Sequence, residues 1–309
     1  PLVDWLAWLG KTRESLEAAV RADHTQHWDA KDLEDFFAWL NAGHPSGQGA
    51  SGNFGPLLAR HLGQFVGREW LLEHVKRFFE EQARGYLVLE APAGWGKTAF
   101  AARLVVEYDP VAFFFQRTQG FTQPVQCWRY LTAELTARYE LPQTFHDVDG
   151  PTSAHAFAQQ AAAAVARESS AVPLIFVIDA LDEASPVPAG RNWLYLPDDL
   201  PKGVYGILTQ RPGRYAIATQ PTTPIERISL TPEMREQQAD IVTYIQHHVD
   251  DEQVIARFRD VSAGSFVYLT YLMAAWETQG SQVFEAEVPL PQGLHGYYQQ
   301  AWHQIRAKA

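Results

Sequence analysis

The sequence predicts an α/β protein: a central parallel sheet in a three-layer sandwich, followed by a small all-helical domain. Three observations lead there. Short apolar runs alternate with helical patterns from Leu57 to Leu230, the signature of parallel strands joined by crossover helices. One run, YLVLE, leads into the loop APAGWGKT, and another, LIFVIDALDEA, ends in acids. After Pro232 the strand patterns stop and only helical ones continue.

Taken in order, Pro1 to Asn41 places Leu2, Trp5, Leu6 and Leu9, then Leu33, Phe36, Phe37 and Leu40, at helical spacing. GHPSGQGASG reads as a flexible linker on its glycine, serine and proline content. The expected division is a helical segment over 1–42, a linker over 43–56, an α/β domain over 57–231 and a helical domain over 232–309. Leu71, Val75, Phe78 and Phe79 mark an amphipathic helix. Tyr86 to Glu90 is the first strand, Lys97 to Tyr108 its following helix, and Val111 to Gln116 the second strand. Helices are expected over Gln123 to Tyr139 and Ser153 to Ser169. Strands follow at Pro173 to Ala184 (a run that ends in acids), Val204 to Pro212 and Glu226 to Leu230. The helical domain is expected to hold helices near 233–248, 251–260, 265–278 and 294–307.

Composition narrows the function classes. Against 25 basic residues stand 36 acidic ones, a net charge of −11, which argues against a broad nucleic-acid surface built on clustered Lys and Arg. One cysteine, Cys127, permits neither an internal disulfide nor a multi-cysteine zinc site; it reads as a small apolar core residue. No apolar run approaches the roughly 18 residues of a membrane span. The chain opens at Pro1 without a signal-peptide pattern and reads as a cytoplasmic piece of a longer protein. Adjacent His247 and His248 point to different helix faces, and His24 with His27, three apart, form no strong ligand pattern with a nearby acid, so no metal site is assigned to them.

The loop carries the chemistry. In a phosphate-binding loop, backbone N–H groups and the following helix N-terminus cradle the anion. Pro92, Ala93, Gly94, Trp95, Gly96, Lys97, Thr98 and Ala99 form the expected binding set. Gly94 and Gly96 allow close backbone approach, Lys97 reaches the β and γ phosphates, and the Thr98 hydroxyl binds Mg²⁺. The pattern G-x-x-x-x-G-K-[ST] asks for glycine where this chain has Ala91; that position lies at the strand end of the loop, so alanine adds a methyl without removing a ligand. Asp179, at the carboxyl end of a buried parallel strand, is placed to hold Mg²⁺, while Asp182 or Glu183 orients an attacking water. In ILTQRP, Thr209 and Arg211 reach the same sheet edge, where Arg211 can meet phosphoryl charge. Trp95 is unusually large for such a loop; it either shields the phosphates or packs on a lid.

These residues in this order resemble the STAND class of P-loop NTPases, and within it the NACHT-like group. FVGREWLL is similar to the family's segment before the phosphate loop, DALDEA to its acidic strand, and YLPDDLPKGVYGILTQRP to its fourth-strand region, with Gln210 replacing a serine. AGSFVYLTYL resembles the helical-domain segment, and PQGLHGYYQQAW the stretch leading to a winged helix. The resemblance implies an ASCE or AAA+-like P-loop fold and a nucleotide cofactor, ADP or ATP with Mg²⁺. It also implies that Val66 and Arg68 border the adenine and that Phe266 packs over the nucleotide. It further implies a switch that holds ADP when off, exchanges it for ATP and self-associates, with slow hydrolysis, an effector domain upstream and sensor repeats downstream. The residues leave two other readings: an initiator-like AAA+ ATPase acting on DNA, and a non-hydrolysing interaction module stabilised by nucleotide. GTP stays open beside ATP.

Overall fold

The computed structural model of the chain describes residues 50–63, 65–142, 149–167, 173–213, 215–280, 283 and 290–299. The helical segment expected over 1–42 lies outside them. Five strands form one sheet: β1 (Gly85–Glu90), β2 (Val111–Phe114), β3 (Leu174–Asp179), β4 (Val204–Gln210) and β5 (Ile225–Ser229). Their order is β2-β3-β4-β1-β5, with every pair parallel. β3 and β4 are buried along their whole length, which is why LIFVID and VYGILTQ read as continuous runs rather than alternating ones. β4 lies between β1 and β3. The loop after β1 and the acids after β3 therefore open onto one crevice at the carboxyl ends of the strands, where open parallel sheets bind ligands.

Helices flank the sheet. α3 (Lys97–Tyr108) packs on β3 and β4, and α5 (Gly150–Arg167), paired with α4 (Pro124–Arg138), packs on the same two strands. Phe157 of α5 lies 5.0 Å from Phe176 of β3 between ring centroids, and Trp128 of α4 lies 5.1 Å from Phe157. Gly206 of β4 makes room for these rings: a Cβ there would stand 2.5 Å from Phe176 Cζ and 2.7 Å from Tyr86 Cδ1. Gly206→Ala should therefore cost roughly 1–3 kcal/mol as overpacking. A lowered urea midpoint with an unchanged slope is the expected result; an unmoved midpoint would mean that the two rings yield freely.

The linker expected over 43–56 is corrected in its second part. Helix α1 spans Ala50–Leu62. Gly52, Gly55 and Pro56 gave that stretch a loop composition, but Phe54, Leu57, Leu58 and Leu62 recur at helical spacing and bury their stripe. Phe54 is 1% exposed, with Phe113, Phe114 and Tyr130 all within 5.1–5.6 Å of its ring centroid. Burial of Phe54 and Leu58, about 1.5–3 kcal/mol each, with Leu57 and Leu62 partly buried beside them, is of the same order as the helix penalties of two glycines, about 1 kcal/mol each, and of Pro56, about 3 kcal/mol. α2 (Glu69–Glu81) then buries Leu71, Val75 and Phe78.

Beyond β5, α6 (Arg235–Gln246), α7 (Glu252–Ser262) and α8 (Phe266–Gln279) enclose a second core of Ile241, Ile245, Phe258, Leu269 and Leu272. Asp251 caps α7 by accepting from the Gln253 and Val254 N–H groups, and Ser265 caps α8 by accepting from Tyr268 N–H. Residues 293–299 are helical; the rest of the helix expected to 307 lies outside the described residues. Among the described residues no helix is long and apolar enough to cross a membrane.

Candidate nucleotide site

The loop after β1 turns twice through left-handed backbone, at Gly94 (φ +79°) and Gly96 (φ +80°), conformations that glycine adopts at little cost. Ala91 is fully buried, its N–H donates to Gln210 O at 3.2 Å, and it is not among the positive-φ residues. The backbone there does not require glycine, so the departure from the usual motif removes nothing. Lys97 opens α3, and its Nζ donates to the carbonyls of Ala91 at 2.6 Å and Pro92 at 2.8 Å. Burial holds this amine below the usual lysine range, opposed by Asp179 and Asp182. Pro92 serves through that carbonyl and does not line the cavity.

Beneath the loop, Asp179 ends β3. It accepts from the Thr98 hydroxyl at 2.8 Å and from the Thr209 hydroxyl at 2.5 Å, while Thr209 Oγ1 accepts from Ala180 N–H. Burial pushes the Asp179 carboxyl up to about 6, against the two hydroxyl bonds and Lys97. Near neutral pH this carboxylate is charged at a cost that a nearby cation would offset. Among the described residues no group of three or more acids, histidines or cysteines could hold a metal alone. One carboxylate and one hydroxyl do suit Mg²⁺, which commonly completes its shell with water and substrate phosphate.

The acidic turn is held by two arginines. Asp182 accepts from Arg211 N–H at 2.9 Å, and its other oxygen pairs with Arg211 Nε at 3.0 Å. Glu183 accepts from Arg117 N–H at 2.9 Å, and the Arg117 guanidinium donates to the carbonyls of both Asp182 and Glu183. Arg117 carries no sequence motif; only its place after β2 could have pointed to it.

The helical domain forms the roof. Val267 N–H donates to Gly94 O at 3.2 Å, and a Cβ on Gly94 would stand 2.8 Å from Ser265 Oγ. Trp95 packs its indole on Gly264, whose missing Cβ would lie 2.5 Å from it. Of the two roles open to Trp95, the structure places it against this domain. Arg68, 2% exposed, donates from Nη2 to Trp95 O at 2.8 Å and lies over the Phe266 ring at 5.2 Å. A cavity of about 510 Å³ lies between these parts. Val66, Arg68, Ala93, Gly94, Trp95, Gly96, Lys97, Thr98, Ala99, Phe266, Asp182, Glu183 and Arg211 all line it, with Asp179 just below. Sequence reasoning did not anticipate Arg60 and His61 of α1 in the same wall.

Residues 67–195 match the family model described as nephrocystin 3, N-terminal. Comparison with curated proteins returns no match. Among solved structures, the chain is similar to the Walker-type ATPase PABY2304 of Pyrococcus abyssi, with 10% identity, TM-score 0.48, and 79% of this chain and 77% of that one covered. A second similar structure is the Pyrococcus horikoshii protein PH0952, a signal transduction ATPase with numerous domains carrying a tetratricopeptide repeat sensor. It gives 15% identity and TM-score 0.37, with 66% of this chain and 29% of that one covered. The matched segment, less than half of the chain, contains the phosphate loop and the acidic strand of the five-stranded parallel sheet.

Proposed function

We propose that the chain is the core of a nucleotide-operated switch that retains ADP in its off state, exchanges it for ATP, then self-associates, and hydrolyses ATP slowly. The observation that carries this reading is convergence. Phosphate-loop, acid and arginine groups line one cavity whose roof belongs to the helical domain, so a bound nucleotide would touch both domains. In hydrolysis, a water oxygen bonds to the γ phosphorus, the bond to the β–γ bridging oxygen breaks, and ADP and phosphate leave. Glu183 would orient that water and take its proton. Lys97 would turn from its carbonyls to the phosphates, and Arg211 would meet the developing phosphoryl charge. Mg²⁺, when bound, would be held by Thr98 and Asp179 and supply charge neutralisation. The engagement of Arg211 with Asp182 favours slow turnover, since the guanidinium must loosen from that carboxylate before it meets the phosphate. In the longer protein this core would join an upstream effector to downstream sensor repeats, in the cytosol.

The test is to denature the purified protein and identify the released nucleotide by chromatography. Near-stoichiometric ADP is expected. Loading with a non-hydrolysable ATP analogue should then raise the mass measured by light scattering. Failure to bind either nucleotide after unfolding and refolding would sink the reading.

A further inference from the structure

The Arg68 backbone sits at φ +69°, a conformation that costs a non-glycine residue energy unless its surroundings fix it. What fixes it comes from another domain, 172 residues along the chain. Asp240 of α6 is 5% exposed and gathers three donors. Its Oδ1 accepts from Arg68 N–H at 3.0 Å, and its Oδ2 accepts from Trp70 Nε1 at 2.9 Å and pairs with Arg68 Nε at 3.5 Å. Gly67 permits the approach, since a Cβ there would stand 2.5 Å from Asp240 Oδ1. Arg68 in turn bonds the phosphate loop through Trp95 O, and its buried Nη1 has no hydrogen-bond partner among the described residues. One carboxylate of the helical domain thus sets the side chain of a residue that lines the cavity and keeps a buried, unsatisfied cationic donor beside it. A buried donor of this kind is costly until an acceptor meets it.

We infer that Asp240 is a positioning residue of the nucleotide site: through Arg68 it makes nucleotide retention depend on the helical domain being docked. This rests on the cavity being the nucleotide site. Asp240→Asn keeps the shape but removes the charge and turns one acceptor into a donor facing Trp70 or Arg68. Release of a fluorescent ADP derivative, chased with excess ADP, is measured for the full chain. About tenfold faster release is expected from Asp240→Asn. In an Arg68→Ala background the same substitution should change release less than about twofold, because the group it acts through is gone. An unchanged rate in the single variant overturns the inference while leaving nucleotide binding intact, as does an equal acceleration in both backgrounds, which would mark Asp240 as mere scaffolding. If Asp240→Asn does not fold, Trp70→Phe decides: it removes one donor to the same carboxylate and should accelerate release severalfold, and no change overturns the inference. Failure of the unsubstituted chain to bind ADP condemns the nucleotide reading instead.

Discussion

Lys97→Ala should lower ADP affinity by roughly 30-fold or more while leaving the chain folded. The amine is the only basic group of the loop itself, and it sits among Ala91 O, Pro92 O, Asp179 and Asp182. Truncating one member of a buried, hydrogen-bonded charge pair costs about 2–5 kcal/mol of binding, and each 1.4 kcal/mol is about tenfold. The backbone donors of the loop and the α3 N-terminus remain, so binding is weakened and not necessarily abolished. Folding responds differently. The substitution strips two carbonyls of a partner, about 1 kcal/mol apiece, but it also removes an amine that burial already disfavours as a cation. The two effects oppose one another, so the thermal midpoint should move little. Calorimetric titration with ADP, beside a melting curve, separates the outcomes. Affinity within threefold of the parent would show that the phosphates are held by backbone alone.

How far this site was legible depends on how far apart its parts lie in sequence. β3 and β4 read clearly because both faces are buried, and the phosphate loop because strand, glycines and GKT are contiguous. That Ala91 removes no ligand is legible from its place at the strand end of the loop; that its backbone needs no glycine is not, because a motif records residue types while this answer lies in a backbone angle. The helix over 50–62 is hidden by its composition: Gly52, Gly55 and Pro56 surround a stripe led by Phe54 whose spacing is helical. Asp240, Gly264 and Arg117 were invisible for another reason. Each acts on a residue 66 to 172 positions away or, for Gly264, by offering space to Trp95. No local pattern encodes such a contact.

The other large effect concerns the two acids, which the motif alone does not rank. Both oxygens of Asp182 engage Arg211 at 2.9 and 3.0 Å. Glu183 has one oxygen on Arg117 N–H, and its other lies 4.0 Å from Arg211 Nη2. Of the two, Glu183 has the oxygen left to orient a water, whereas Asp182 is occupied in holding the arginine. Glu183→Gln should therefore lower the single-turnover rate at saturating ATP by about 100-fold or more, within the range that general bases contribute, with ATP affinity nearly unchanged. Asp182→Asn should cost less, on the order of tenfold, and should add little once Arg211 is already alanine, because it acts through that side chain. The reverse ranking, with Asp182→Asn abolishing turnover and Glu183→Gln leaving it intact, would exchange the two roles. Turnover must be read on chain loaded with ATP, since a switch holding ADP is silent whatever its acids can do. ATP binding that survives Glu183→Gln while turnover does not would also yield a variant trapped with ATP, in which self-association can be followed without the site resetting itself.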